Sequence, residues 1–137
     1  EKAEKIAGIC NDRYNSKNVK GGADADKSDF FNAADIVLNT GAAGIQLMSD
    51  EHIKNSNTLK ICADTNAVPP SGIAGVDVMD NGKVIDMSPS KCLGIGALAI
   101  GNIKYKSQHE CLKLMYTSEK PVYLDFEDAF KFAQKSV

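Results

Sequence analysis

Three short stretches of this chain carry residue types that suit ligand chemistry. Residues 39–44 read NTGAAG. Glycines there let a ligand approach the backbone closely. An ordinary tight connection is the plainer alternative, because G-x-x-G is a weak pattern and the G-x-G-x-x-G phosphate loop is absent from the chain. Residues 64–70 read DTNAVPP. A double proline fixes the backbone and withholds two N–H donors. Asn66 offers both a donor and an acceptor, which suits a planar ligand. A stiff loop with no ligand fits the same residues. Residues 94–101 read GIGALAIG, either a floor for a flat ring or the close packing of a helix on a sheet.

Beyond the last of these lie Lys104 and Lys106, read as opening the next helix. A lysine at a helix start is mildly unfavourable with the helix dipole, so a functional role is worth weighing against a solvated surface position. His109 lies off the Lys104 face, has no evident triad or metal partner, and reads as structural or surface. The cysteines Cys10, Cys62, Cys92 and Cys111 form no C-x-x-C pair. Cys62 and Cys92 read as small buried residues rather than nucleophiles. With His52 and His109 the only histidines, no metal site is expected.

The elements that must carry these stretches follow from periodicity. Residues 2–14 suit an amphipathic helix, 18–20 a short strand, and 26–34 a helix with Asp26 as a possible cap. A buried parallel strand is expected at 36–38, a helix at 49–55 capped by Ser49, and a second buried strand at 59–63. Asp80-Asn81-Gly82 lies between apolar runs at 73–78 and 83–86, a hairpin signal. Residues 94–100 read as strand to turn, and 102–116 as helical. Asp125 should cap a last helix whose apolar face is Phe126, Ala129, Phe130 and Ala133. Strands alternating with helices argue for an α/β fold with a parallel sheet. In such sheets ligands lie beyond the carboxyl ends of the strands, so residues 39–44, 64–70 and 94–104 would line one crevice.

Composition bounds the function. The chain has 137 residues and a net charge of −2, so it is one domain with no electrostatic support for nucleic-acid binding. No apolar run is long enough to span a bilayer. Sparse cysteines fit a reduced, cytosolic compartment. The sequence opens Glu1-Lys2-Ala3-Glu4, already in helical register and without Met, so it reads as a segment that follows something else.

Several long motifs in order carry a family resemblance. NTGAAGIQLM (39–48), ADTNAVPPSGIAGVDV (63–78), GIGALAIGNIKYKSQHECL (94–112) and LDFEDAFKFA (124–133) resemble the NADP-binding domain of methylene-tetrahydromethanopterin and methylene-tetrahydrofolate dehydrogenases. The resemblance implies the C-terminal portion of a Rossmann-type domain, spanning residues 1–137. Such a portion is a partial, doubly wound parallel sheet lacking the first strand and its phosphate loop. The upstream pterin-binding domain would lie outside the chain.

The implied activity is an oxidoreductase of one-carbon metabolism. It moves a hydride between the methylene group of a pterin carrier and NADP, giving the methenyl form, and the family forms homo-oligomers. By position, the resemblance puts Lys2 near the adenosine ribose, where a cation favours NADP over NAD. Thr40, Gly41 and Ala42 fall on the cofactor-facing loop. Asn66, Ala67 and Val68 fall near the nicotinamide, and Gly96, Ala97 and Ala99 beneath the rings. Lys104 aligns with a lysine of the family's active-site region and is the catalytic candidate, as a group that orients the pterin rather than a base. Another Rossmann dehydrogenase, shikimate-dehydrogenase-like, and an inactive cofactor-binding remnant are the competing readings.

Overall fold

The computed structural model describes residues 1–136. A four-stranded sheet in the order β1-β2-β4-β3 organises it. The strands are β1 (Ile36–Asn39), β2 (Ile61–Asp64), β3 (Asn81–Val84) and β4 (Leu93–Ile95). β1, β2 and β4 run parallel, with Val37 opposite Cys62 and Cys62 opposite Gly94; β3 closes one edge antiparallel to β4. The helices are α1 (Lys2–Arg13), α2 (Lys27–Ala33), α3 (Asp50–Asn55), α4 (Ala97–Thr117) and α5 (Phe126–Gln134). This is an open, mostly parallel α/β sheet, in keeping with part of a Rossmann-type fold.

Side chains alternate across the strands, so the sheet has two unlike faces. Cys62 on one face joins Met48, Ile53, Leu59, Ile73, Val76, Ile85 and Cys92 in a closed core, against which Phe31, Ala34 and Val37 pack. His52 pins α2 to α3 there. Its Nδ1 accepts from the Ser49 amide at 3.1 Å, and its Nε2 meets Ser28 Oγ at 3.1 Å. The opposite face carries Ala63 and Ile95 beneath α4 and α5, with a groove of about 780 Å³ left between them. Farther along that face, Ile36 and Leu38 on the edge strand are exposed.

Four sequence expectations change. No strand forms at 18–20, because Asn11 on α1 takes both polar groups of Val19 (2.9 and 3.1 Å). The strand at 36–39 is buried on one face only. Asn81-Gly82 is not a hairpin tip between 73–78 and 83–86. It lies inside β3, where a register irregularity falls between Asn81 and Lys83 and Gly82 takes φ +82°. Asp77 and Asp80 shape the bend before it, since Asp80 Oδ2 accepts from the Asp77 amide (2.8 Å) and Asp77 Oδ1 from the Met79 amide (2.9 Å). Finally, α4 begins at Ala97, directly after β4, and not at 102.

The remaining elements stand where periodicity put them. Asp125 caps α5 by accepting from the Glu127 amide at 2.9 Å. Cys62 and Cys92 are buried free thiols 4.0 Å apart.

Candidate functional site

Three parallel strands end side by side, and their outgoing segments form the candidate site. The segment after β1 runs from Thr40 to Ser49 before α3 begins, longer than a tight strand-to-helix turn. The segment after β2 runs through the cis Pro69–Pro70 peptide and folds back at Ile73. These two segments are knitted together. Thr65 donates through both its amide and its hydroxyl to the Asn39 carbonyl (3.1 and 3.0 Å). Asn39 Nδ2 donates to Asp64 Oδ1 at 2.8 Å. Asn66 Oδ1 accepts from the Gly44 amide at 3.3 Å and the Val68 amide at 3.0 Å, while its Nδ2 donates to the Pro70 carbonyl at 3.0 Å. At the far end Met48 bridges Ile73 in parallel register, and the Leu47 and Met48 amides both donate to the Gly72 carbonyl.

The third segment joins them less directly. Gly96 starts α4 and donates to the Asp80 carbonyl (2.8 Å), and Leu98 donates to the Val78 carbonyl (2.9 Å). Asp77 and Val78 in turn share a hollow of about 320 Å³ with Asn66, Ala67, Val68, Pro69, Ser71 and Val76. Gly96 lies so close to the Asp77 carbonyl that no side chain fits there. The start of α4 thus reaches this hollow only through the 77–80 bend.

The residues singled out in the sequence fall in three places. Thr40, Gly41 and Ala42 are exposed on the first segment, and Ala67 and Val68 on the second. Asn66 beside them is buried, and the amide that the sequence offers to a planar ligand is engaged within the chain. Ala97 follows Gly96 into the first turn of α4, but Ala99 faces the groove toward α5. Lys104 lines that groove as well, with Ser107 and Gln108, well inside the helix rather than at its start. Lys104 therefore does not sit against the positive end of the helix dipole. Lys2 borders a separate hollow between α1 and residues 19–22. His109 is a surface residue beside Tyr105 and Glu110.

Asp64, Asn39 and Gly72 were not singled out by sequence. Asp64 is 1% exposed, and a carboxylate closing an apolar strand was the available signal. Among the described residues, no cluster of His, Cys, Asp or Glu is placed to hold a metal ion. No described helix is long and apolar enough to cross a membrane.

No family model matches the chain. Two proteins of Methylorubrum extorquens do. One, named NAD(P)-dependent methylenetetrahydromethanopterin dehydrogenase, is 42% identical over 100 residues, which is 73% of this chain and 33% of that protein. The other, named bifunctional protein MdtA, is 31% identical over 137 residues, or 98% of this chain and 46% of that protein. The chain is similar in sequence to a methylene-pterin dehydrogenase. The resemblance read from the motifs is thus borne out, with the chain spanning about a third to a half of the length of these relatives.

Proposed function

We propose that the chain is the C-terminal, NADP-binding part of a cytoplasmic methylene-pterin dehydrogenase. This is an oxidoreductase that interconverts the methylene and methenyl forms of a tetrahydromethanopterin or tetrahydrofolate carrier. The 42% identity to a dehydrogenase of that name carries the reading. The joined loops at the carboxyl ends of β1 and β2, where open α/β sheets hold their ligands, support it.

The site's shape fits one end of a dinucleotide. Thr40, Gly41 and Ala42 expose backbone with little side-chain bulk, and the hollow edged by Ala67 and Val68 is the size of a single ring system rather than a whole cofactor. NADP, when bound, supplies the hydride acceptor. The pterin nitrogens stabilise the cation that results, so the protein needs no strong acid or base and its work is orientation. Loops 40–48 and 65–74 would hold one flat ring, and Lys104 would orient the pterin from its groove. The adenosine end would lie toward Lys2, where a cation pairs with a 2′-phosphate.

The test is NADP reduction by the complete polypeptide with each methylene carrier in turn, and with NAD in parallel. Turnover with either carrier supports the reading. Its absence in folded protein overturns it and favours an inactive remnant or another dehydrogenase. Within an active enzyme, Lys104→Ala should lower turnover far more than NADP affinity. An equal loss of both would remove Lys104 from the pterin side.

A further inference from the structure

Asp64 ends β2 with its carboxylate sealed from solvent. A buried carboxylate is tolerated only where its oxygens are answered by donors. Oδ1 accepts from Asn39 Nδ2 at 2.8 Å and from the Asn66 amide at 3.0 Å, and Oδ2 accepts from the Ile73 amide at 3.0 Å. Every partner is a donor, which is what the ionised form requires. Such charge-assisted bonds are roughly twice as strong as neutral ones.

The three bonds reach different stretches of chain. Asn39 closes β1, and its Oδ1 accepts from the Gly41 amide at 2.9 Å. Asn66 hands the contact on to Gly44. Ile73 is where the second loop returns, beside Met48. One carboxylate therefore holds the first loop from two directions, through Asn39 to Gly41 and through Asn66 to Gly44, and also fixes the base and the return of the second loop. Gly72 completes the packing, since a Cβ there would run into Asn39 Nδ2 and Asp64 Oδ1.

We propose that Asp64 is a positioning residue whose carboxylate locks loops 40–48 and 65–74 into one unit, fixing the distance between the two surfaces they present to the dinucleotide. The proposal rests on the dehydrogenase reading above for its catalytic consequence, but not for the mechanical one. Asp64 touches no reacting atom in this scheme. It acts through Asn39 and Asn66.

The experiment is Asp64→Asn in the complete polypeptide. The amide keeps the shape but replaces one acceptor with a donor that faces other donors. Amide hydrogen exchange should rise in 40–48 and 65–74 together while α3 and β4 keep their protection. The kcat should fall roughly 10- to 100-fold, the scale for a misplaced reacting pair, with NADPH affinity by fluorescence little changed. The double variant with Asn39→Ala should lose less kcat than the product of the two single losses, because both variants weaken the hold of one shared carboxylate on the loops.

Faster exchange confined to 65–74, or losses that multiply in the double variant, would overturn the proposal. Should Asp64→Asn fail to fold, Asn39→Ala alone leaves the carboxylate two donors, and its exchange pattern decides the same question. Wild-type protein without pterin turnover would remove the dehydrogenase reading, yet the exchange result would still decide whether the loops form one unit.

Discussion

The paired loops and the helical arm of α4 and α5 are built on opposite principles. The loops are held by polar bonds that begin and end inside the chain, and their buried side chains Asn39, Asp64 and Asn66 all find partners. The arm is apolar and open. Leu98, Leu112, Met115, Tyr116, Phe126 and Phe130 are each more than half exposed. The apolar residues at the centre of the core, such as Met48, Ile53, Leu59 and Ile73, are fully closed, whereas the named residues of the arm keep most of their surface in water. Stability is therefore concentrated on one face, and the geometry of the loops depends on that face rather than on the arm.

Truncating the two faces gives the largest contrast. Ile53→Ala on the closed face should cost about 2–5 kcal/mol, the range for emptying a packed site. Phe130→Ala in the groove should cost less than about 1 kcal/mol, as for a residue that leaves little cavity behind. Urea unfolding of the two variants reads the difference, and equal losses would break the comparison. Gly72→Ala comes next. Its methyl group has no room beside Asn39, so it should cost about 1–3 kcal/mol as an overpacked site and loosen both loops in hydrogen exchange.

The smallest effect belongs to the buried thiols. Burial, and then the neighbouring Cys92, pushes the Cys62 thiol well above its ordinary range. In the unfolded chain the same thiol ionises near pH 8.5. The unfolded state then loses protons that the folded state keeps, so this thiol's effect on stability is nil below about pH 8.5 and lowers stability as pH climbs beyond it. A Cys62→Ala variant should show a shallower alkaline decline. At neutral pH, Cys10 and Cys111 should react with an alkylating reagent in the folded protein while Cys62 and Cys92 stay protected.

Much of the scaffold was legible because local patterns and tertiary placement agree. The apolar runs at 36–38 and 59–63 became β1 and β2, and Asp125 with its apolar face announced α5. Where local pattern and structure part, the cause is a partner elsewhere in the chain. Asn81-Gly82 has the composition of a turn, but pairing with β4 draws it into a strand as an irregularity. Val19 has strand character, yet Asn11 takes its polar groups. The glycines of 94–101 suggested a turn, although Gly96 is the cap of α4 and Gly101 is accommodated inside the helix. Asp64 could be read only as the first residue of a loop motif. Its importance depends on Ile73 folding back nine residues later and on Asn39 arriving from another strand.

The tight junction at Gly96 has one more consequence. A helix that follows a parallel strand usually points free amides outward, and those amides attract anions. Here the chain's own carbonyls at Val78 and Asp80 already take the amides of Leu98 and Gly96. Two of the amides at the mouth of α4 are taken from within. A diphosphate would find those amides engaged, and the exposed backbone of residues 40–42 is the better approach for it.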